Sequence, residues 1–167
     1  MLYLLDANVL IDANRDYYPI ERIPEFWEWL INVGNNENVK IPIEILEELK
    51  EGNDNLAKWA KQKEVSSALL LNEEAKVSVV SSIINEAYAP DLTDDEVVKI
   101  GRDPFLVSYA IKDKSNRSIV TTESSKPRRK RANRHVPDVC DSPGVMWCNS
   151  FDLLKDLDFR TNWKAKI

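Results

Sequence analysis

Cysteine and histidine are scarce in this sequence, and their scarcity excludes several classes of protein. The 167 residues include only two cysteines and one histidine. Cys140 and Cys148 lack a CxxC spacing, so we expect reduced thiols and too few soft ligands for a zinc site. His135 stands beside a basic run, where a loop residue is the simplest interpretation, although a role in general-acid catalysis stays open.

Long apolar runs are also missing. Hydrophobic residues make up 43% of the chain, but no stretch approaches the ~20 apolar residues of a membrane span. The apolar start of the chain is interrupted by Asp6 and has no basic region before it, which argues against a signal peptide. We therefore expect a cytoplasmic protein with no membrane contact, folded as a single domain over residues 1–167.

Positive charge is in deficit and unevenly distributed. The formal net charge is −5, yet residues 126–134 contain six basic residues and no acid. The rest of the chain then carries 17 basic against 28 acidic residues. This pattern favours an acidic site that needs cations and a basic segment that binds a polyanion, although a solvated surface loop is the alternative. The candidate phosphate-binding residues are Lys126, Arg128, Arg129, Lys130, Arg131 and Arg134.

Short continuous apolar runs alternate with helical patterns along the chain. Continuous runs suit strands that are buried on both faces, and such strands alternating with helices favour a parallel sheet in an α/β protein. The predicted strands are Leu2–Leu5, Val39–Ile41, Arg117–Thr121 and Gly144–Trp147. Helices are predicted to begin at Pro24, at Ile43, at Asp54, near Glu73, after Thr93 as part of a capping box, at Asp103 as N-cap, and at Phe151.

Several acids occupy positions that gather at the carboxyl edge of such a sheet, where open α/β sheets bind ligands. Asp6 and Glu123 directly follow predicted strands, and Asp103 opens a helix. Glu44 and Glu48 are four residues apart and share one helix face, with Glu48 at the border of the apolar stripe. Each acid alone could instead be a cap, a loop charge or a helix charge. Their order along the chain predicts one shared cleft.

Four carboxylates in one cleft need a compensating charge, because like charges raise one another's pKa. Hard oxygen ligands favour Mg²⁺ or Mn²⁺, and one or two such ions suit phosphodiester hydrolysis. Asp138 or Asp141 could be a fifth acid of the site, whereas Glu47 and Glu51 are interpreted as solvated helix charges.

Four segments in order resemble the motifs of PIN-domain nucleases. Leu4–Ile11 has an apolar strand, an acid, a spacer and a small polar residue, here Asn8. Pro42–Gly52 resembles the second motif, with Glu48 as its acid. Asp103–Ala110 resembles the third motif, and Val120–Glu123 the fourth. The sequence departs from the family pattern in two ways: Glu123 replaces the usual Asp, and the segment between Glu51 and Asp103 is longer than in the smallest PIN toxins.

The resemblance implies a PIN-like, three-layer α/β/α sandwich and a Mg²⁺- or Mn²⁺-dependent endoribonuclease. It further implies the toxin of a type II toxin–antitoxin pair, silenced by a cognate antitoxin and able to form a homodimer. The residues implied to hold the metal and carry catalysis are Asp6, Glu48, Asp103 and Glu123. Asn8 would orient a carboxylate, Glu44 would support the site, and the basic segment would bind RNA phosphates.

Three other functions are alternatives to the nuclease interpretation. A phosphatase of the haloacid-dehalogenase type also begins with a strand that ends in Asp, but it needs a second Asp where Asn8 stands. A receiver domain would need paired acids before its phospho-acceptor Asp. A catalytically weak PIN-like module that binds RNA or an antitoxin is favoured by Glu123 in place of Asp.

Overall fold

The computed structural model describes residues 1–166 and has a four-stranded sheet at its centre. The strand order is β2-β1-β3-β4, and every neighbouring pair is parallel. The strands are β1 Leu2–Leu5, β2 Val39–Lys40, β3 Arg117–Val120 and β4 Met146–Cys148. The predicted parallel sheet is confirmed, and the prediction for β1 matches its bounds.

Ten α-helices lie within residues 1–166. They are α1 Ala7–Asp12, α2 Pro24–Asn35, α3 Ile43–Lys50, α4 Asn55–Ala60, α5 Lys63–Leu69, α6 Val77–Ile83, α7 Asp94–Ile100, α8 Asp103–Ile111, α9 Val136–Asp141 and α10 Ser150–Asp156. Wider π-helical turns, Ala13–Tyr17 and Ile84–Tyr88, extend α1 and α6. Single 3₁₀ turns occur at Arg131–Asn133 and Trp163–Lys166.

The strand order places helices on both faces of the sheet. The chain passes from β1 to β2 on one side, and β3 later pairs on the other side of β1. Because crossovers between parallel strands are right-handed, this reversal puts the two sets of connecting helices on opposite faces. The fold is a three-layer α/β/α sandwich. The crevice beyond the carboxyl ends of β1 and β3 is the switch point where such sheets bind ligands.

A continuous apolar core extends from Tyr3 in β1 to Leu153 in α10. Three tryptophans, Trp27, Trp29 and Trp59, belong to this core and are at most 4% exposed. Helices α2 and α5 approach closely at Gly34, where an added Cβ would lie 2.8 Å from the carbonyl oxygen of Ala68. Within residues 1–166 no helix combines the length and apolar character needed to cross a bilayer.

Local predictions held where short-range signals dominate. Thr93 and Glu96 form the predicted capping box of α7, with both reciprocal hydrogen bonds present. Asp54 caps α4 by accepting a hydrogen bond from the Ala57 N–H at 2.8 Å. Asp103 is a correction, because it is the first residue of α8 and makes no capping hydrogen bond.

One further prediction was wrong about the start of a helix, and one helix was not predicted. The helix expected from about Glu73 begins at Val77, because residues before it extend alongside β2 and the Glu73 carboxylate accepts from Arg117 Nη2 and Lys112 Nζ. Helix α9 was not predicted. This short helix contains Asp138, which is buried. Its carboxylate accepts hydrogen bonds from Ser125 and Lys126, which belong to an earlier segment of the chain.

Candidate functional site

Asp6 lies at the carboxyl end of β1 and caps α1. Its backbone N–H donates to Val120 of β3, and its Oδ1 accepts from the Asn8 N–H at 3.4 Å. The residue is only 3% exposed. Burial raises the pKa of Asp6 to about 6, against the opposing effect of its hydrogen bonds, and the charges of Glu123 and Glu48 raise it further.

Thr121 connects the ends of β1 and β3. Its hydroxyl donates to Asp6 Oδ2 at 2.7 Å, and its oxygen accepts from the Glu123 N–H at 3.2 Å. Thr121 is fully buried. This residue was not among the predicted site residues, although its position directly after β3 marks it as part of the carboxyl edge.

Asp103 is the most strongly perturbed acid of the group. It opens α8 and is partly buried, and within residues 1–166 no hydrogen bond to its carboxylate is present. Burial raises the pKa of Asp103 well above its usual value, and the negative charges of Asp6, Glu123 and Glu48 add to this rise. The structure therefore brings the carboxylate of α8 to the carboxyl end of β1.

Glu48 lies at the rim of the same cluster, on the exposed side of α3. Partial desolvation raises its pKa, whereas the nearby guanidinium of Arg102 opposes this rise. Arg102 also pairs with Glu51 at 3.5 Å. Arg102, which precedes Asp103, is a cation beside the cluster that the sequence analysis missed.

Glu123 follows β3 by three residues and is partly buried. Its Oε2 accepts from the Val136 N–H at 2.7 Å, at the start of α9. Its charge contributes to the raised pKa of both Asp6 and Asp103. The longer side chain thus reaches the cluster while one of its oxygens is held by α9.

The four predicted acids are therefore electrostatically coupled at one edge of the sheet; we name them the acid cluster. Among residues 1–166, no three His, Cys, Asp or Glu side chains form a preassembled metal-binding group. Mutual repulsion opposes a closer approach of the carboxylates, and a divalent cation would reverse it. The donor set consists of carboxylate oxygens, and the pKa is raised for Asp6, Glu48 and Asp103; such a set fits Mg²⁺ or Mn²⁺.

The two predicted supporting residues occupy different surroundings. Asn8 is exposed and contributes its backbone N–H to Asp6, so the main chain orients this carboxylate. Glu44 accepts a hydrogen bond from the Tyr109 hydroxyl at 3.3 Å, and its Oε2 is buried without a partner within residues 1–166. Glu44 thus lies against α8, one helical turn before Glu48.

The two possible fifth acids differ in their surroundings. Asp138 is buried, and its carboxylate accepts from Ser125 Oγ at 2.6 Å and the Lys126 N–H at 2.8 Å. Burial acts to raise the pKa of Asp138, but these hydrogen bonds and the Arg134 charge outweigh burial and lower it. Asp138 therefore fixes the start of the basic segment, and Asp141 is exposed. The ring Nδ1 of His135 lies 2.8 Å from the Ser124 carbonyl oxygen.

Four of the six predicted phosphate-binding side chains are exposed and have no ion pair within residues 1–166. We name them the exposed basic quartet: Lys126, Arg128, Arg129 and Lys130. They follow the end of β3, on the same connection that carries Glu123. This surface is free to contact a polyanion.

The other two basic residues are corrections, because their guanidinium groups are used within the fold. Arg131 pairs with Asp91 at 2.7 Å and with Glu96 at 2.7 Å. Arg134 donates to the carbonyl oxygens of Ala87 and Asp138. Both residues hold the basic segment against neighbouring elements, which competes with phosphate binding.

One groove connects Tyr88 with two members of the exposed basic quartet. It has a volume of about 350 Å³ and is lined by Tyr88, Arg129, Lys130 and Arg134, among others. Burial raises the pKa of the Tyr88 hydroxyl, and the charges of Asp103 and Glu123 raise it further. A larger groove of about 500 Å³ is lined by Trp27, Trp59 and other residues of α2, α5 and the C-terminal segment.

A family model described as a domain of unknown function, DUF4411, matches residues 3–161. The chain belongs to the DUF4411 family. No curated protein matches the chain. The DUF4411 match includes every member of the acid cluster and the exposed basic quartet.

Two residues near the acid cluster could not be recognised from the sequence, because they belong to no motif. Tyr88 lies in the π-helical turn after α6, and Arg102 precedes α8. Neither belongs to a strand end or to a spaced acidic motif. Arg102 is the chain neighbour of Asp103, whereas Tyr88 comes near Asp103 through the packing of α6 against α8.

Proposed function

We propose that this protein is a Mg²⁺- or Mn²⁺-dependent endoribonuclease whose active site is the acid cluster. The observation that carries the proposal is the mutual coupling of Asp6, Asp103, Glu48 and Glu123 at the β1–β3 switch point. A divalent cation held there would supply Lewis-acid stabilisation of the charge that develops at a phosphodiester. The PIN-like order of the four motifs supports this reaction class.

The protein's own residues would have distinct tasks in this reaction. Asp6 and Asp103 would hold the cation from the buried side, and Glu48 would hold it from the rim. Thr121 and the Asn8 N–H keep the Asp6 carboxylate in a fixed orientation through their hydrogen bonds. Glu123 approaches from the end of β3, where Val136 fixes one of its oxygens.

The exposed basic quartet would bind RNA phosphates next to the cleft. Its charge follows Glu123 in sequence, so a strand that passes the acid cluster can continue across the quartet. Electrostatic binding of this kind weakens steeply with salt. We further propose, from the PIN-like motifs, that the protein acts in the cytoplasm as the toxin of a type II pair, with a cognate antitoxin and a homodimer as its protein partners.

A second candidate is a PIN-like module that binds RNA without cutting it. The hydrogen bond from the Val136 N–H to Glu123 favours this candidate, since it occupies an oxygen that the metal would need. Such a module would bind RNA with the same residues as the enzyme, but it would not cleave the RNA.

Short 5′-labelled single-stranded RNAs distinguish the two candidates. With Mg²⁺ or Mn²⁺ the enzyme cuts them, and chelation or the substitution Asp103→Asn abolishes cutting. Glu47→Gln is a matched control, because this exposed acid pairs with Lys50 outside the cluster. Metal-independent cutting contradicts the nuclease proposal, and salt-sensitive binding without any cutting supports the second candidate.

A further inference from the structure

Tyr88 has a buried hydroxyl that makes no hydrogen bond with the part of the chain that the structure describes. The residue is 7% exposed, and its hydroxyl oxygen has no hydrogen-bond partner within residues 1–166. Leaving a buried polar group unpaired costs roughly 1–3 kcal/mol. Tyrosine hydroxyls that are buried normally find a partner. A phenylalanine would fill the same space without this cost.

The hydroxyl lies within electrostatic range of two members of the acid cluster. The charges of Asp103 and Glu123 both act on it, together with Cys140 and the opposing charge of Arg134. Tyr88 also lines the groove that contains Arg129 and Lys130. It therefore lies between the carboxylates and the exposed basic quartet.

The backbone around Tyr88 is fixed from two sides. The Ala89 N–H donates to the Ile84 carbonyl oxygen at 3.0 Å and closes the π-helical turn. Arg134 donates to the carbonyl oxygen of Ala87 with one nitrogen and to that of Asp138 with the other. The clamp made by Arg134 ties this turn to α9, so the Tyr88 side chain is not a mobile surface group.

A hydrogen-bond donor that has no partner and is fixed near carboxylates can orient those carboxylates when they bind a metal ion. Asp103 has little support in the cluster: no hydrogen bond to its carboxylate is present within residues 1–166, and the charges of Asp6, Glu123 and Glu48 that act on it are all negative. Ligating carboxylates are usually hydrogen-bonded by such neighbouring donors, and losing the donor typically costs 10–100-fold in metal affinity or activity.

We propose that Tyr88 is a positioning residue that donates its hydroxyl hydrogen to a carboxylate of Asp103 or Glu123 when the acid cluster holds a divalent cation. This inference rests on the proposed function for the identity of the ligand. The hydroxyl acts through the carboxylate and does not contact the reacting atoms.

The substitution Tyr88→Phe tests this role, with Tyr3→Phe as the matched control. Tyr3 is equally buried at 8% exposed, but its hydroxyl already donates to Asp156 at 2.8 Å, away from the cluster. Each full-length variant is titrated with MnCl₂ after treatment with chelator, and the rise in melting temperature is followed. The apparent Mn²⁺ affinity follows from the concentration dependence of that rise.

For Tyr88→Phe we expect a melting temperature without metal that is equal to or higher than that of the wild type, and an apparent Mn²⁺ affinity about 10–100-fold weaker. Tyr3→Phe should show the opposite pattern: a lower melting temperature and an unchanged Mn²⁺ affinity. Equal Mn²⁺ affinity in wild type and Tyr88→Phe overturns the proposal, and so does an equal loss in both variants.

The same titration separates this inference from the nuclease proposal. A wild-type protein whose Mn²⁺ affinity depends on Tyr88 but that never cuts RNA supports the positioning role and contradicts the nuclease proposal. A wild-type protein whose melting temperature does not respond to Mn²⁺ overturns the positioning role outright.

Discussion

Replacing Asp6 with asparagine should stabilise the folded protein at neutral pH when a chelator is present. Burial raises the pKa of Asp6 from 3.8 to about 6 in the folded state. The folded protein therefore binds this proton more tightly than the unfolded chain does. Stability falls as pH rises from about 4 to 6 and then stays at the lower level, because the buried group must ionise.

The size of the stability change follows from the shift in the pKa of Asp6. At about 1.4 kcal/mol per pKa unit, the rise from 3.8 to about 6 corresponds to a loss of about 3 kcal/mol above pH 6. Asparagine does not ionise, and its amide can replace both hydrogen bonds, with Thr121 and with the Asn8 N–H. Imperfect replacement reduces the gain, so we expect Asp6→Asn to be more stable by about 1–3 kcal/mol at pH 8.

Urea unfolding with EDTA at pH 8 and at pH 4 measures this difference. The gain should disappear near pH 4, where Asp6 of the wild type is protonated. Divalent cations should reverse the order, since Mn²⁺ at about 100 times its dissociation constant stabilises the wild type by about 2.7 kcal/mol. The variant, which lacks a ligand, should gain much less and should lose RNA cleavage.

Asp138→Asn is the matched control, for which we expect the opposite change in stability at pH 8. Asp138 is also buried, but hydrogen bonds from Ser125 and Lys126 lower its pKa. Its ionised form stabilises the fold above the unfolded pKa, and this stability is lost as pH falls through the folded pKa. Asp138→Asn should therefore destabilise at pH 8 and less at acidic pH. An Asp6→Asn variant no more stable than the wild type at pH 8 refutes the reasoning on burial.

Three further predictions concern the surroundings of the site and the fold. Thr121→Val should cost about 1–3 kcal/mol at pH 8 in urea unfolding, because Asp6 loses its shortest hydrogen bond; an unchanged midpoint contradicts this. Alanine in place of all four residues of the exposed basic quartet should reduce the slope of log affinity against log salt by about 0.7 for each lost phosphate contact, measured with single-stranded RNA. An unchanged slope would remove the quartet from the interface. Gly34→Ala should lower stability by about 1–3 kcal/mol, since the new Cβ meets the Ala68 carbonyl oxygen at 2.8 Å; a rise in melting temperature would show that α2 and α5 can separate at no cost.

Much of the fold could be predicted because its signals are local. The continuous run Leu2–Leu5 specifies a strand that is buried on both faces, and Thr93 with Glu96 specifies a helix start through two short-range hydrogen bonds. Asp6 could be assigned to the carboxyl edge for the same reason, since it directly follows the strand. Where a carboxylate had a distant partner, as Glu73 has in Arg117, the local pattern misplaced the helix start.

By itself, the sequence determined the strands, most helices and the positions of the acids along the chain, because periodicity and capping act over a few residues. Only the tertiary structure determined which charged and polar side chains form ion pairs or hydrogen bonds within the fold and which do not. It paired Arg131 with Glu96 and turned Arg134 onto Ala87, and it placed the unpaired Tyr88 hydroxyl beside Asp103. These contacts join residues far apart in the chain, so their energies depend on packing that no local pattern encodes.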